Sequence, residues 1–124
     1  MAVGGKWIVD ARSETIDPAD FFTPVTGVTI VSGAVEAVGN SVVWSLRLSS
    51  TALTVAAGGN QNVTLGIVNA PYRPRNYFSP WSGWLGTPWI HGLCANGDGS
   101  LTVRESSAAA TNPTSIVIGG AWPR

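Results

Sequence analysis

Glycine and proline interrupt this chain so often that no segment keeps apolar residues at a helical period for three turns. The sequence has 15 glycines and eight prolines, and both residue types are unfavourable inside helices. Between them lie short segments in which apolar and polar residues alternate, the pattern of strands with one buried face. We therefore predict an all-β chain, and the lack of crossover helices excludes an α/β fold.

The predicted strands differ in clarity. Residues 41–49 alternate most regularly, with an inner face of Val42, Trp44, Leu46 and Leu48, and this places Trp44 in the core. In residues 62–68 the side chains of Val63, Leu65 and Ile67 would point inward. In residues 100–105 those of Leu101 and Val103 would do so. Residues 27–38 form either one long strand with a bulge at Gly33 or two short strands. Residues 6–9, 89–94 and 115–122 complete the set.

Turn residues separate these strands. The strongest signal is Asn96-Gly97-Asp98-Gly99, which would fold strand 89–94 straight back onto strand 100–105. About seven or eight short strands at this spacing predict one antiparallel β-sandwich of the jelly-roll kind. The length of 124 residues fits a single domain.

Residues 1–24 have a different composition and are predicted to form an N-terminal arm, with the sandwich at 25–124. Asp17 and Pro18 would begin one helical turn as N-cap and first helical residue. The arm is polar and has a sparse apolar pattern, so ordering it alone would cost more backbone entropy than it could offset. We expect it to dock on a neighbouring subunit through its apolar anchors Trp7, Phe21 and Phe22.

The charge composition restricts the partners. Seven basic residues balance seven acidic ones, so no electrostatic field attracts phosphate backbones, and we expect no nucleic acid partner. Only 11% of residues are charged and 44% are hydrophobic, whereas about 25% are charged in an ordinary soluble domain. This favours burial of surface against other subunits. No apolar run approaches the length of a membrane span, so membrane insertion is not expected.

Residues suited to catalysis are few. His91 is the single histidine and Cys94 the single cysteine, and within a strand they would point to opposite faces. The acidic residues of the arm lack the spacing of a known metal loop. We expect no enzymatic activity, no metal and no cofactor.

The most informative segment is residues 71–89, which is dense in aromatic residues and turn formers. The segment contains four prolines, at positions 71, 74, 80 and 88, and two glycines. These residues predict a loop that presents the aromatic rings. Two interpretations stay open: the rings fill the end of the sandwich or an axis between subunits, or some are exposed and stack on a sugar. The candidate residues for binding a glycan or a partner are Arg73, Arg75, Asn76, Tyr77, Trp81 and Trp84.

From Gly33 onward the order of features resembles the C-terminal head module of trimeric receptor-binding, tail-fibre and baseplate proteins of tailed bacteriophages. The resemblance covers about three-quarters of the chain and lies in strand 62–68, Tyr72-Arg73-Pro74, the segment 98–104 and a last strand near the terminus. It implies a β-sandwich that assembles as a homotrimer. Two features depart from that family: only about 24 residues precede the module, and the aromatic insert 77–89 is longer.

Two functions follow from the resemblance. The chain would be a tail-tip, receptor-binding module that adheres to host cell-surface glycans. The alternative is a purely structural virion protein, such as a capsid decoration protein, a spike or a minor tail protein, that contacts only other virion subunits. Either protein would be found in the virion, after assembly in the host cytoplasm.

Overall fold

The computed structural model describes residues 13–124, which form eleven strands, one four-residue α-helix and one 3-10 turn. The helix is α1 (Pro18–Phe21), and the 3-10 turn is Ala70–Tyr72. The strands are β1 (Ser13–Ile16), β2 (Phe22–Pro24), β3 (Val28–Val38), β4 (Ser41–Ser50), β5 (Thr54–Val55), β6 (Val63–Val68), β7 (Phe78–Leu85), β8 (Trp89–Ala95), β9 (Ser100–Ser106), β10 (Ala110–Thr111) and β11 (Ile116–Pro123). The predicted strand at residues 6–9 and the anchor Trp7 lie outside the described residues.

Nine of these strands form one curled antiparallel sheet in the order β1-β3-β4-β11-β7-β8-β9-β6-β2, and β5 pairs with β10 in a second small sheet. The curl encloses a single hydrophobic core. The prediction of an all-β, antiparallel, sandwich-like fold is therefore confirmed. Eleven strands are described instead of seven or eight. Four of the additional strands, β1, β2, β5 and β10, are too short to give a clear alternating pattern, and the fifth, β7, was predicted as a loop.

The core contains the predicted face of β4, which buries Val42, Trp44, Leu46 and Leu48. Trp44 packs against two other aromatic rings, with its ring centroid 5.4 Å from that of Phe21 and 5.4 Å from that of Trp122. The inward positions Leu101 and Val103 of β9 are also fully buried. Alternation thus placed the centre of the core correctly.

The hairpin between β8 and β9 has the predicted turn. Gly99 has a φ of +78°, and a side chain there would also collide with the carbonyl oxygen of Val68. Asp98 accepts a hydrogen bond of 2.9 Å from the backbone N–H of Ser100, which closes the turn. Both features explain why this short polar segment reverses the chain.

Register shifts in β3 and β6 make these two strands differ from the predictions. β3 is one long strand, as the first alternative had it, but its register shifts between Ile30 and Ser32 and not at Gly33. β6 shifts register between Thr64 and Gly66, and the extra residue reverses the alternation beyond it. The prediction that Ile67 points inward is therefore wrong: Ile67 is 40% exposed and its neighbour Val68 is buried.

The segment predicted as an aromatic loop is largely a strand, so that prediction is wrong for Phe78–Leu85. β11 pairs with β7 only at Ser82–Leu85. At Pro80, β8 is therefore the one described strand that pairs with β7. A strand tolerates proline at such a position, because no sheet hydrogen bond is lost there.

Residues 13–24 also differ from the predicted arm. Asp17 caps α1 by accepting a hydrogen bond from the backbone N–H of Ala19, as predicted. However, β1 pairs with β3, β2 pairs with β6, and both Phe21 and Phe22 are buried in the core. The prediction that this segment docks on a neighbouring subunit, and not on its own sandwich, is therefore wrong for residues 13–24.

Candidate functional site

The six candidate residues do not form one site. Trp81 is a core residue with 3% of its surface exposed, whereas Trp84 on the same strand is 53% exposed. Their separation of three residues places them on opposite faces of β7. Tyr77 precedes Trp84 by seven residues of nearly extended chain, a distance of roughly 20 Å. Trp84 must therefore act separately from the residues before β7.

Arg73 has a structural role. Its Nε donates a 2.9 Å hydrogen bond to the carbonyl oxygen of Val68, and its Nη1 donates one of 3.3 Å to that of Gly97. The guanidinium thus ties the end of β6 to the turn between β8 and β9. This arginine is half-buried and engaged with the backbone, so it offers little to a ligand.

Arg75, Asn76 and Tyr77 do lie together, around an open recess that they share with Asn96. The Asn96 amide donates a 3.0 Å hydrogen bond to the carbonyl oxygen of Pro74, and the Arg75 Nη2 donates one of 3.2 Å to the carbonyl oxygen of Arg124. Tyr77 is 83% exposed. The recess has a volume of about 500 Å³, and among the described residues that line it Tyr77 is the aromatic one.

A row of neighbouring aromatic rings lies on the outer face of the sheet. Trp84 is the cross-strand neighbour of Trp89 on one side and of Val117 on the other. The ring centroids of Trp89 and His91 are 4.7 Å apart at an interplanar angle of 31°. We call the row formed by Val117, Trp84 and Trp89 the aromatic ridge.

Beside the ridge lies a cleft of about 370 Å³, which we call the glycine cleft. Its lining includes Trp81 together with Pro80, Ser82, His91, Gly92, Gly119 and Gly120. The cleft lies beside the point where pairing between β11 and β7 ends, after Gly119 and Ser82. Ser82 is the cross-strand neighbour of both Gly119 and His91, so a depression with small residues crosses three strands next to the ridge.

The polar groups of this cleft suit hydrogen bonding. Nδ1 of His91 lies 3.8 Å from Oε1 of Glu105, and both side chains are more than half exposed. Such a surface pair contributes little to stability and leaves both groups accessible to a ligand. Ser82 adds an exposed hydroxyl. The face therefore combines flat apolar rings with donors and acceptors at their edge.

The one thiol of the chain takes no part in this face. Cys94 is fully buried on the opposite side of β8, and burial raises its pKa to about 12. The thiolate needed for nucleophilic attack is therefore not formed near neutral pH. Residues 13–124 contain no group of three or more His, Cys, Asp or Glu side chains placed to hold a metal ion. Within the same range, no helix is long and apolar enough to cross a membrane.

The comparison with known families returns no match, and no curated protein shows significant similarity to the chain. The resemblance to phage head modules therefore stays a prediction.

Trp89 and His91 were not among the predicted site residues, although the sequence pattern contains a partial signal for them. Alternation in residues 89–94 places Trp89 and His91 on one face of a strand, and the structure has them there. Their pairing with Trp84 depends on the β7–β8 register, which could not be predicted while residues 78–85 were interpreted as a loop.

Proposed function

We propose that this chain is a non-enzymatic adhesion module of a virion, and that it binds cell-surface carbohydrate through the aromatic ridge and the glycine cleft. The observation that carries the proposal is the cross-strand pair Trp84 and Trp89, extended by the ring of His91, on an exposed sheet face. Tryptophan rings offer a large and rigid apolar surface at low entropic cost.

The chemistry of a sugar matches this arrangement in two respects. The C–H face of a pyranose ring is flat and apolar, so it can cover an exposed indole such as that of Trp84. The hydroxyl groups at the ring edge need donors and acceptors, which Ser82 and His91 supply in the adjacent cleft and Glu105 supplies beside His91. Because these side chains lie on paired strands, the site is largely preorganised.

The assignment to a virion and to a homotrimer rests on the resemblance to phage head modules and on the low charge content of 11%. The exposed side chain of Val43 is in keeping with burial against further subunits. It also favours the second candidate, a structural virion protein that contacts only other virion subunits. In that case the aromatic ridge would be a protein interface, since Trp is common at interface hot spots.

The two candidates are separated by binding of the purified full chain to an array of bacterial surface polysaccharides. We expect the wild-type chain to bind a defined subset and Trp84→Ala to lose at least about tenfold in affinity. Val31→Ala is the matched control, because it truncates an equally exposed apolar residue on another strand. If no glycan is retained, or if both variants bind as the wild type does, the adhesion proposal is wrong.

A further inference from the structure

A second depression lies on the same outer face, across β6, β9 and β8. It has a volume of about 290 Å³, and Phe78, which is 61% exposed, lines it from β7. Its floor contains the cross-strand pair Thr64 and Thr102, whose hydroxyl oxygens are 3.4 Å apart. We call this depression the polar groove.

The lining of the polar groove carries one acid, one base and one amide. Asp98 accepts a hydrogen bond of 2.9 Å from the backbone N–H of Ser100, and its side chain is exposed to solvent, where a ligand can reach it. Hydrogen bonds from Ser100 lower the pKa of Asp98, so this carboxylate is ionised at neutral pH. Arg104 and Asn62 complete the polar lining. One acid and one base leave the lining electrically balanced.

The two depressions are neighbours. Pro80, which lines the glycine cleft, is the cross-strand neighbour of Leu93, which lines the polar groove. Leu93 is in turn opposite Thr102 on β9. The outer positions of β7 run from Trp84 through Ser82 and Pro80 to Phe78, a length of roughly 20 Å. An extended ligand can therefore contact both depressions without leaving the sheet face.

We infer that the glycine cleft and the polar groove are two subsites for one extended ligand, a linear and uncharged polysaccharide of several sugar units. This inference rests on the proposed carbohydrate-binding function and names the class of carbohydrate. The aromatic ridge takes one sugar of the chain, and Phe78 takes another. The hydroxyl groups of the second sugar form hydrogen bonds with Asp98, Asn62 and Arg104.

The charges of the face support an uncharged ligand. Arg104 is balanced by Asp98, and Glu105 places an acidic side chain beside the glycine cleft, so neither subsite attracts an anionic sugar as a basic patch would. The net charge of the whole chain is zero. Binding should therefore change little between about 0.1 M and 1 M salt, a range over which exposed charge pairs are strongly screened.

The test is calorimetric titration of the full chain with linear oligosaccharides of the cello-, malto- and manno- series, from disaccharide to hexasaccharide. In the series that binds, we expect affinity to rise at least about tenfold from disaccharide to hexasaccharide, because the second subsite is engaged intramolecularly. Phe78→Ala and Arg104→Ala should each remove most of this gain and leave disaccharide binding unchanged. Thr29→Ala, an exposed threonine on β3, is the control.

The outcomes separate this inference from the function on which it rests. If the hexasaccharide binds no better than the disaccharide, or if Phe78→Ala binds the hexasaccharide as the wild type does while Trp84→Ala fails to, the second subsite is wrong and the adhesion site stands. If affinity falls steeply with salt, the uncharged class is wrong. If no oligosaccharide binds in any series although the array retains the chain on a bacterial polysaccharide, the uncharged linear class is wrong and the adhesion site stands. If neither the oligosaccharides nor the array bind the chain, both proposals are overturned.

Discussion

The indole of Trp81 lies directly beneath Gly92 on the neighbouring strand, so close that a β-carbon on Gly92 would be 2.2 Å from Cζ2 of the indole and 2.1 Å from the carbonyl oxygen of Thr102. Trp81 forms part of the core, and the glycine cleft lies above it. The absence of a side chain at Gly92 thus leaves the room that the large inner ring of Trp81 occupies across β7 and β8.

Gly92→Ala should therefore be strongly destabilising. The obstacle includes backbone of β9 that cannot move without breaking the sheet, so we expect a loss of about 3 kcal/mol or more in the free energy of unfolding. Gly97→Ala is the matched control, because a β-carbon there meets nothing within 4 Å. Its effect should stay within about 0.5 kcal/mol. Urea denaturation of both variants measures this difference, and equal unfolding midpoints would contradict the packing of Trp81 against Gly92.

Phe21→Ala should show that the segment before β3 belongs to the sandwich. The ring of Phe21 is fully buried, with its centroid 5.4 Å from that of Trp44 and 6.4 Å from that of Trp122. We expect a loss of about 3–5 kcal/mol, a large part of the stability of a small domain. Thr15→Ala on β1, which truncates an exposed side chain, should cost little. Near-native melting of Phe21→Ala would restore the interpretation of this segment as a detachable arm.

Cys94 should make the protein less stable at high pH. Burial raises its pKa from 9.0 to about 12 in the folded protein, so the folded state keeps a proton that the unfolded state releases. The resulting stabilisation is complete below pH 9.0 and is lost as the pH rises toward about 12. Unfolding measured across this interval should show a steeper fall for the wild type than for Cys94→Ala. Identical slopes would mean that the thiol is accessible to water.

Native mass spectrometry of the full chain at micromolar concentration should give a homotrimer. The expectation rests on the resemblance to trimeric phage modules and on a sequence poor in charge, and exposed Val43 is available for burial. A stable monomer would remove the main support for the resemblance.

The extent to which the sequence predicts this molecule varies along the chain. The alternation of β4 and the turn before Gly99 are local properties, and both were predicted correctly. The outward turn of Ile67 depends on a bulge opposite β9, and the tolerance of Pro80 depends on where β11 leaves β7. Neither is a property of the segment itself.

The candidate site shows the same division. The abundance of aromatic residues in 71–89 pointed to the right part of the chain, but a loop has no fixed faces, and so Trp81 and Trp84 could not be told apart. Once β7 is recognised as a strand, their separation of three residues alone assigns them to opposite faces. The pairing of Trp84 with Trp89 then requires the register of two strands, which only the tertiary structure supplies.

The most direct test of carbohydrate binding by the aromatic ridge is to follow the indole N–H signals of the tryptophans by NMR while the best-binding oligosaccharide is added. We expect the signals of exposed Trp84 and half-buried Trp89 to shift with the concentration of the sugar. The signals of the buried Trp44 and Trp122, which line neither the glycine cleft nor the polar groove, should stay in place, and the Nε1 of Trp122 also donates a hydrogen bond to the carbonyl oxygen of Tyr72. Saturable binding without a shift at Trp84 or Trp89 would contradict the proposed site.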